Sequence, residues 1–201
     1  MIRSEIVNTA YFSNKYYNKN LLETIRGKIP NQEAPLSVAT MNQTHSSTVL
    51  EIQNKGHYES DSILTSEKNL VLVVKTADCM PVLIRNTNSV AAVHIGWRGL
   101  ANNIFNKTLE KMMQENLQIS IGPHAKSCCY EIKEDVGNLL PELTETRGNK
   151  LYLNQSKSIE KVCNKKNIDL EISDICTICN NDFFSYRENG TNERQVSLIW
   201  N

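Results

Sequence analysis

The chain has 201 residues, and its 22 basic and 22 acidic side chains cancel. At roughly 150 residues per domain this predicts one domain, residues 1–201, large enough to bury a core without staples. A composition 40% apolar and 22% charged excludes a disordered tail or a coiled coil; the even charge does not call for the basic face of a duplex nucleic-acid binder, and leaves room for a local anion pocket.

Apolar runs such as Leu70–Val74 are strand-sized, far short of the roughly 20 residues that span a bilayer, so no membrane segment is expected. The opening Met1-Ile2-Arg3-Ser4-Glu5 turns polar at once, which is not the pattern of a secretory leader. The expectation is therefore a cytoplasmic protein whose six cysteines are reduced and free for metal binding or chemistry.

In chain order, the polar segment through Pro35 predicts a strand and a short helix. Residues 36–41 read as a strand entering a loop at Asn42-Gln43-Thr44-His45, and residues 48–52 alternate like a second strand. Residues 69–76 form a β-branched run typical of a strand buried on both faces. Residues 80–85 continue it after a break, with Pro81 arguing against a regular central ladder there. Residues 90–95 are another buried strand, running into Gly96-Trp97-Arg98-Gly99 and a helix over 100–116. A strand over 117–121 ends at Gly122-Pro123-His124, and helices follow over 131–140 and 158–167. Phe183-Phe184-Ser185-Tyr186-Arg187, a turn at Asn189-Gly190 and a final strand over 195–200 close the chain. The mixture predicts an α+β fold: a single layered domain with a mixed sheet flanked by helices. Neither Gly-x-Gly-x-x-Gly nor a phosphate-binding P-loop occurs.

Only four histidines are present, and His45, His94 and His124 sit at strand ends or in loops. Cys79 lies at the break between two strand halves, so His45, Cys79 and His94 could meet at one sheet edge as a three-ligand zinc set with an open position. On spacing alone, a histidine at a strand end is more often structural. Arg98, between glycines and ahead of a helix, could grip an oxyanion or close an ordinary turn. Lys75 reads as a phosphate contact or an edge charge; Asp78 could orient a ligand, handle a proton or cap a turn. Cys128 and Cys129 are neighbours and rarely bridge each other; they are small buried residues or functional thiols, the buried reading being favoured for Cys129, and Cys163 reads as helix core. Cys176 and Cys179 form a Cys-x-x-Cys without a second such pair, which leaves a redox or a fortuitous reading.

Five strings in this order resemble one family: Gln43-Thr44-His45; Lys75 to Leu83 around Thr-Ala-Asp-Cys; Ala92 to Gly99 around His-Ile-Gly-Trp-Arg-Gly; Ile121-Gly122-Pro123 with Cys128-Cys129-Tyr130-Glu131; and Cys176-Thr177 with Phe183 to Arg187 and Arg194-Gln195. The resemblance is to the YfiH-type laccase-domain family, also labelled polyphenol oxidase or peptidoglycan editing factor. It implies a sandwich-like mixed α/β fold and one zinc per chain on His45, Cys79 and His94. It also implies phosphorolysis of adenosine, inosine, guanosine and methylthioadenosine, with deamination of adenosine. Asp78, Cys79, Arg98 and Lys75 are then the expected catalytic residues, and Gln43, Arg98, Cys128 and Arg187 the expected substrate contacts. The partners are a purine nucleoside and phosphate. The chain departs from the family pattern at Ser46, at Glu59-Ser60-Asp61-Ser62 and at His124-Ala125-Lys126, where His124 could add a contact of its own. Four histidines are too few for a blue copper plus a trinuclear cluster. A rival reading makes Cys79 a nucleophile with His94 as base, in a hydrolase or amidase acting on peptidoglycan precursors.

Overall fold

A computed structural model describes residues 1–17, 37–113 and 115–201. The short helix expected before Pro35 falls largely outside these residues.

The described residues form two six-stranded mixed sheets and one of three strands. The first sheet runs in the order β1 (Ile2–Arg3), β2 (Ala10–Phe12), β15 (Gln195–Ile199), β7 (Leu70–Thr76), β3 (Ser37–Met41), β5 (Gly56–Tyr58). The second runs β14 (Asp169–Ile172), β10 (Gln118–Ile121), β8 (Met80–Arg85), β9 (Val90–Ile95), β6 (Ser62–Thr65), β4 (Val49–Glu51).

Side-chain alternation explains the layering. Leu70, Leu72 and Val74 of β7 pack with Leu83, Val90 and Ala92 of the second sheet, while Val71 and Val73 pack on the opposite face with Tyr11, Leu198 and Trp200. The other face of the second sheet (Val82, Ile84, Val93, Ile95) is covered by α2 (Ile104–Lys111) and α4 (Lys157–Lys166), through Ile104, Leu109, Ile159 and Cys163. Two apolar faces per strand produce the near-continuous hydrophobic runs of β7 to β9. Cys163 is core, as its helical position predicts.

Several expectations are corrected. The helix expected over 100–116 is two: α1 (Trp97–Ala101) and α2, parted where Asn103 turns left-handed at φ 61°, a conformation asparagine tolerates. The region 131–140 splits into β11 (Glu131–Ile132) and α3 (Glu134–Leu139). Pro81 does sit in an interior strand, between β9 and β10. It stands opposite His94 and beyond the end of the paired β10 register, and uses the ladder group proline retains, its carbonyl, to accept from Gly122 N–H at 3.0 Å. The third sheet, β11, β13 (Lys150–Leu153) and β12 (Thr144–Arg147), carries a small core with Tyr130, Val136 and Leu143, against which Trp97 packs. A last short helix, α5 (Tyr186–Asn189), ends at Gly190, which takes the left-handed φ of 68° that glycine adopts without strain.

Among the described residues, no helix is long and apolar enough to cross a membrane.

Candidate metal centre and pocket

One end of the sandwich gathers the chain's most specific motifs. β3 leads into the loop bearing His45; the β7–β8 connection carries Asp78 and Cys79; β9 carries His94 one residue before its end, and α1 follows after Gly96. His94 lies on the same face of β9 as Val90 and Ala92, which face the first sheet, so its imidazole points between the sheets.

His45, Cys79 and His94 converge, with all ligand atoms within 4.8 Å of one another. Cys79 Sγ is 3.6 Å from His45 Nε2, and the two imidazoles meet edge to face at 4.9 Å between centroids. Two features of the backbone make this possible. His45 is left-handed at φ 61°, and the N–H groups of Thr44, His45 and Ser46 all donate to the Asp61 carboxylate, at 3.3, 3.0 and 2.7 Å. Such a concave run of amides is an anion nest. Gly96 is close on the other side: a Cβ there would stand 2.9 Å from His45 Cδ2 and 3.1 Å from Cys79 Sγ.

Asp61 is the organising residue that the sequence reading left unassigned. Wholly buried, it also binds His94 Nδ1 at 2.7 Å and accepts from Ser46 Oγ at 2.7 Å. With Nδ1 engaged, Nε2 of His94 is the nitrogen left for a metal, the usual arrangement of a carboxylate behind a ligating histidine. Burial alone would raise the Asp61 carboxyl, but hydrogen bonds from His94 and Ser46 bring it below the ordinary value. Burial would push the Cys79 thiol up; His94 and His45 outweigh it and lower it to about 6. Burial would push His94 down; the Cys79 thiolate and Asp61 raise it to about 9. In the metal-free chain the pair is thus thiolate and imidazolium near neutral pH.

The three ligands line a pocket of 570 Å³, within the 300–1,000 Å³ typical of small-molecule sites. Lys75, Arg98, Arg187 and Arg194 line it too, against a single carboxylate, Asp78, among the described residues. None of the four cations is in an ion pair among the described residues. Arg98 lies over the Trp97 ring at 4.3 Å, and Arg187 over Tyr130 at 4.8 Å with its guanidinium donating to Glu131 O. Thr76 is buried in the wall, and its Oγ1 has no hydrogen-bond partner among the described residues. Buried hydroxyls are rarely left so; sequence alone gave no sign of it.

Other expected residues have different surroundings. Asp78, left-handed at φ 84°, accepts from Thr177 Oγ1 at 2.8 Å and from the Arg187 backbone N–H at 2.7 Å. Both oxygens are thereby engaged in fixing the C-terminal loop, which suits the positioning role among those open to Asp78. Gln43 lines the pocket, but its amide pairs with the Lys75 backbone in both directions, at 2.7 and 2.9 Å. Cys128 lies outside the pocket lining, beside Cys129. His124 is 1% exposed and away from the pocket, its Nδ1 held by Gly122 O at 2.8 Å. Burial lowers it to about 3, so it is a neutral core histidine and not an added substrate contact.

Comparison with known proteins agrees with this architecture. The family model described as multi-copper polyphenol oxidoreductase laccase matches residues 20–201. A purine nucleoside phosphorylase of Clostridium acetobutylicum is 36% identical over 81% of this chain and 76% of its own length. One of Aquifex aeolicus is 31% identical over 78% of this chain and 79% of its own. Among solved structures, a Neisseria meningitidis protein of the DUF152 family superposes with a TM-score of 0.75 at 28% identity, covering 93% of this chain and 82% of that one. A Bacillus licheniformis protein described as hypothetical protein YfiH reaches 0.78 at 21% identity, covering 92% and 79%, which shows the shared fold.

Proposed function

The chain belongs to the multi-copper polyphenol oxidoreductase laccase family, and on that premise we propose that it is a zinc-dependent, cytoplasmic purine nucleoside phosphorylase that also deaminates adenosine. The observation that carries this reading is the pocket, where a His45–Cys79–His94 cluster and four cations without ion-pair partners among the described residues share one 570 Å³ space. The phosphorylase names of the relatives support it. Adenosine, inosine, guanosine and methylthioadenosine are the proposed substrates.

The donor set fits zinc. Two imidazoles and one thiolate with a face open to a pocket match the three-ligand pattern of catalytic zinc, and Asp61 fixes the tautomer of His94. A multicopper centre would need more imidazoles: of the chain's four histidines, His57 and His124 stand outside the pocket lining. When bound, zinc supplies Lewis acidity at the pocket floor.

In phosphorolysis a phosphate oxygen bonds to the ribose C1′ as the bond from C1′ to the purine nitrogen breaks. The purine leaves with the electron pair and takes up a proton. Arg98 and Lys75 hold the phosphate, with Arg187 and Arg194 completing the positive wall. The exposed Tyr186 ring at the pocket offers a face to the base. Asp78 positions Arg187 through its backbone. In deamination, water replaces the 6-amino group and ammonia leaves.

The test is inosine turnover with and without phosphate, alongside ammonia release from adenosine. Hypoxanthine and ribose 1-phosphate form only with phosphate present, and Arg98→Ala raises the KM for phosphate ~10-fold or more, as the loss of a charged hydrogen bond of about 1.5–3 kcal/mol requires. Release that ignores phosphate overturns the phosphorylase reading. One observation favours a second reading, a Cys79 hydrolase: the thiolate–imidazolium pair of Cys79 and His94. That reading predicts amide cleavage by the metal-free chain, abolished when Cys79 is alkylated.

A further inference from the structure

Behind the pocket wall lies a second cluster. The thiols of Cys128, Cys129, Cys176 and Cys179 all stand within 4.8 Å of one another. They come from two loops: one links β10 to β11, the other follows β14, and the loops meet at a parallel bridge between His124 and Cys176. A Cys-x-x-Cys thus finds its second pair in two adjacent cysteines on a distant segment. From this geometry we propose a second metal site: one zinc ion bound by the four thiolates of Cys128, Cys129, Cys176 and Cys179, closed to substrate and clamping the two loops together.

Three observations carry it. The first is spacing. A tetrahedral ion with zinc–sulfur bonds of about 2.3 Å sets its sulfurs about 3.8 Å apart. Here Cys128 and Cys129 are 3.4 Å apart and no pair in the set exceeds 4.8 Å, so shifts of an ångström or less, widening that pair and drawing the others in, close the tetrahedron. A polynuclear iron–sulfur cluster would hold its four thiolates further apart. The second is the backbone. Cys176 Sγ faces the N–H of Lys126, at 3.4 Å, and the N–H groups of Ile178 and Cys179 in its own turn. A sulfur surrounded by amide donors is prepared to be a thiolate; a neutral thiol has no need of three. The third is charge. A dication with four thiolates carries two negative charges, and the half-buried Lys126, in the loop of Cys128 with its backbone N–H on Cys176 Sγ, brings a cation beside them that also faces Asp174 and Glu160.

Four protein sulfurs leave no open coordination position, the mark of a structural rather than a catalytic site. What the clamp holds is evident from its neighbours. Thr177, inside the Cys-x-x-Cys turn, hydrogen-bonds Asp78, the residue before the ligand Cys79. Tyr130, next to Cys129, carries the Arg187 guanidinium on its ring.

The test is the metal stoichiometry of the full chain, prepared under reducing, oxygen-free conditions and loaded with Zn²⁺ or Co²⁺. Wild type binds two ions per chain, and Co²⁺ gives the intense sulfur-to-metal charge-transfer absorption of a tetrathiolate site. Cys179→Ser loses that absorption and one ion. Cys79→Ser also drops to one ion but keeps the absorption, so the two sites are read separately. If Cys179→Ser does not fold, wild type and Cys79→Ser decide the matter without it. A wild-type chain that binds one ion and shows only single-thiolate absorption overturns the proposal. So does an intact mass two or four hydrogen atoms light, with no metal at these residues, in chain purified in air without reductant, which would make the cluster a disulfide site.

Discussion

The two cysteine-containing clusters are built from different materials for different ends. His45–Cys79–His94 mixes imidazole and thiol, is fixed from behind by the buried Asp61, and opens on a cationic pocket. The four-cysteine cluster has sulfur alone, leans on backbone amides and lies outside the pocket lining. The contrast teaches that the surroundings of the ligands distinguish a reactive site from a clamp. A carboxylate behind a histidine tunes and orients it; amides around a sulfur merely hold its charge.

The largest expected effect breaks the first cluster alone. Cys79→Ser removes its one thiolate, so phosphate-dependent hypoxanthine release falls to background while the fold, read by circular dichroism, persists. Retained turnover in that variant would separate the chemistry from the cluster. Asp61→Asn comes next. It weakens the hydrogen bond that orients His94 and leaves the amides of residues 44–46 facing a neutral group, and losses of about 10–100-fold in metal affinity are usual for such supporting residues. Titration against a competing chelator measures it, and unchanged affinity would contradict the role given to Asp61. Gly96→Ala is a graded version, because its Cβ would meet His45 and Cys79 at 2.9 and 3.1 Å. A metal affinity lowered less than by Asp61→Asn is expected, with the four-cysteine site untouched.

The smallest perturbation is one of pH. In the metal-free chain Cys79 is lowered to about 6, whereas burial raises Cys129 and Cys163. A lowered thiol pKa means thiolate above that pH, so alkylation of Cys79 by iodoacetamide rises through pH 6 and levels off by about pH 7. Bound metal suppresses it. A rate still climbing at pH 8 to 9 would show an ordinary thiol and an unpaired His94.

The sequence made the first cluster legible because its ligands lie inside specific strings at the ends of strongly apolar strands. Residues 80–85 and 90–95 match β8 and β9 as they stand, since burial on two faces leaves little freedom in their composition. Asp61 stood in the quoted string Glu59-Ser60-Asp61-Ser62 but went unassigned, because its partners arrive from another strand and from the β3 loop. The four-cysteine site was illegible for a related reason: only the fold places two adjacent cysteines against a Cys-x-x-Cys. β12 is polar and β13 offers only Leu151-Tyr152-Leu153, so neither gave a strand-length apolar run; their signal was the turn at Gly148, left-handed at φ 58°. The break between α1 and α2 was written in Asn102-Asn103, which apolar periodicity alone passes over.

The most direct measurement strips the chain of metal and titrates zinc back while following phosphate-dependent release of hypoxanthine from inosine. Turnover that is absent without metal and saturates as the His45–Cys79–His94 site fills, with Cys79→Ser silent throughout, is the predicted result. Full turnover by the metal-free chain would contradict the assignment of this cluster as the catalytic centre.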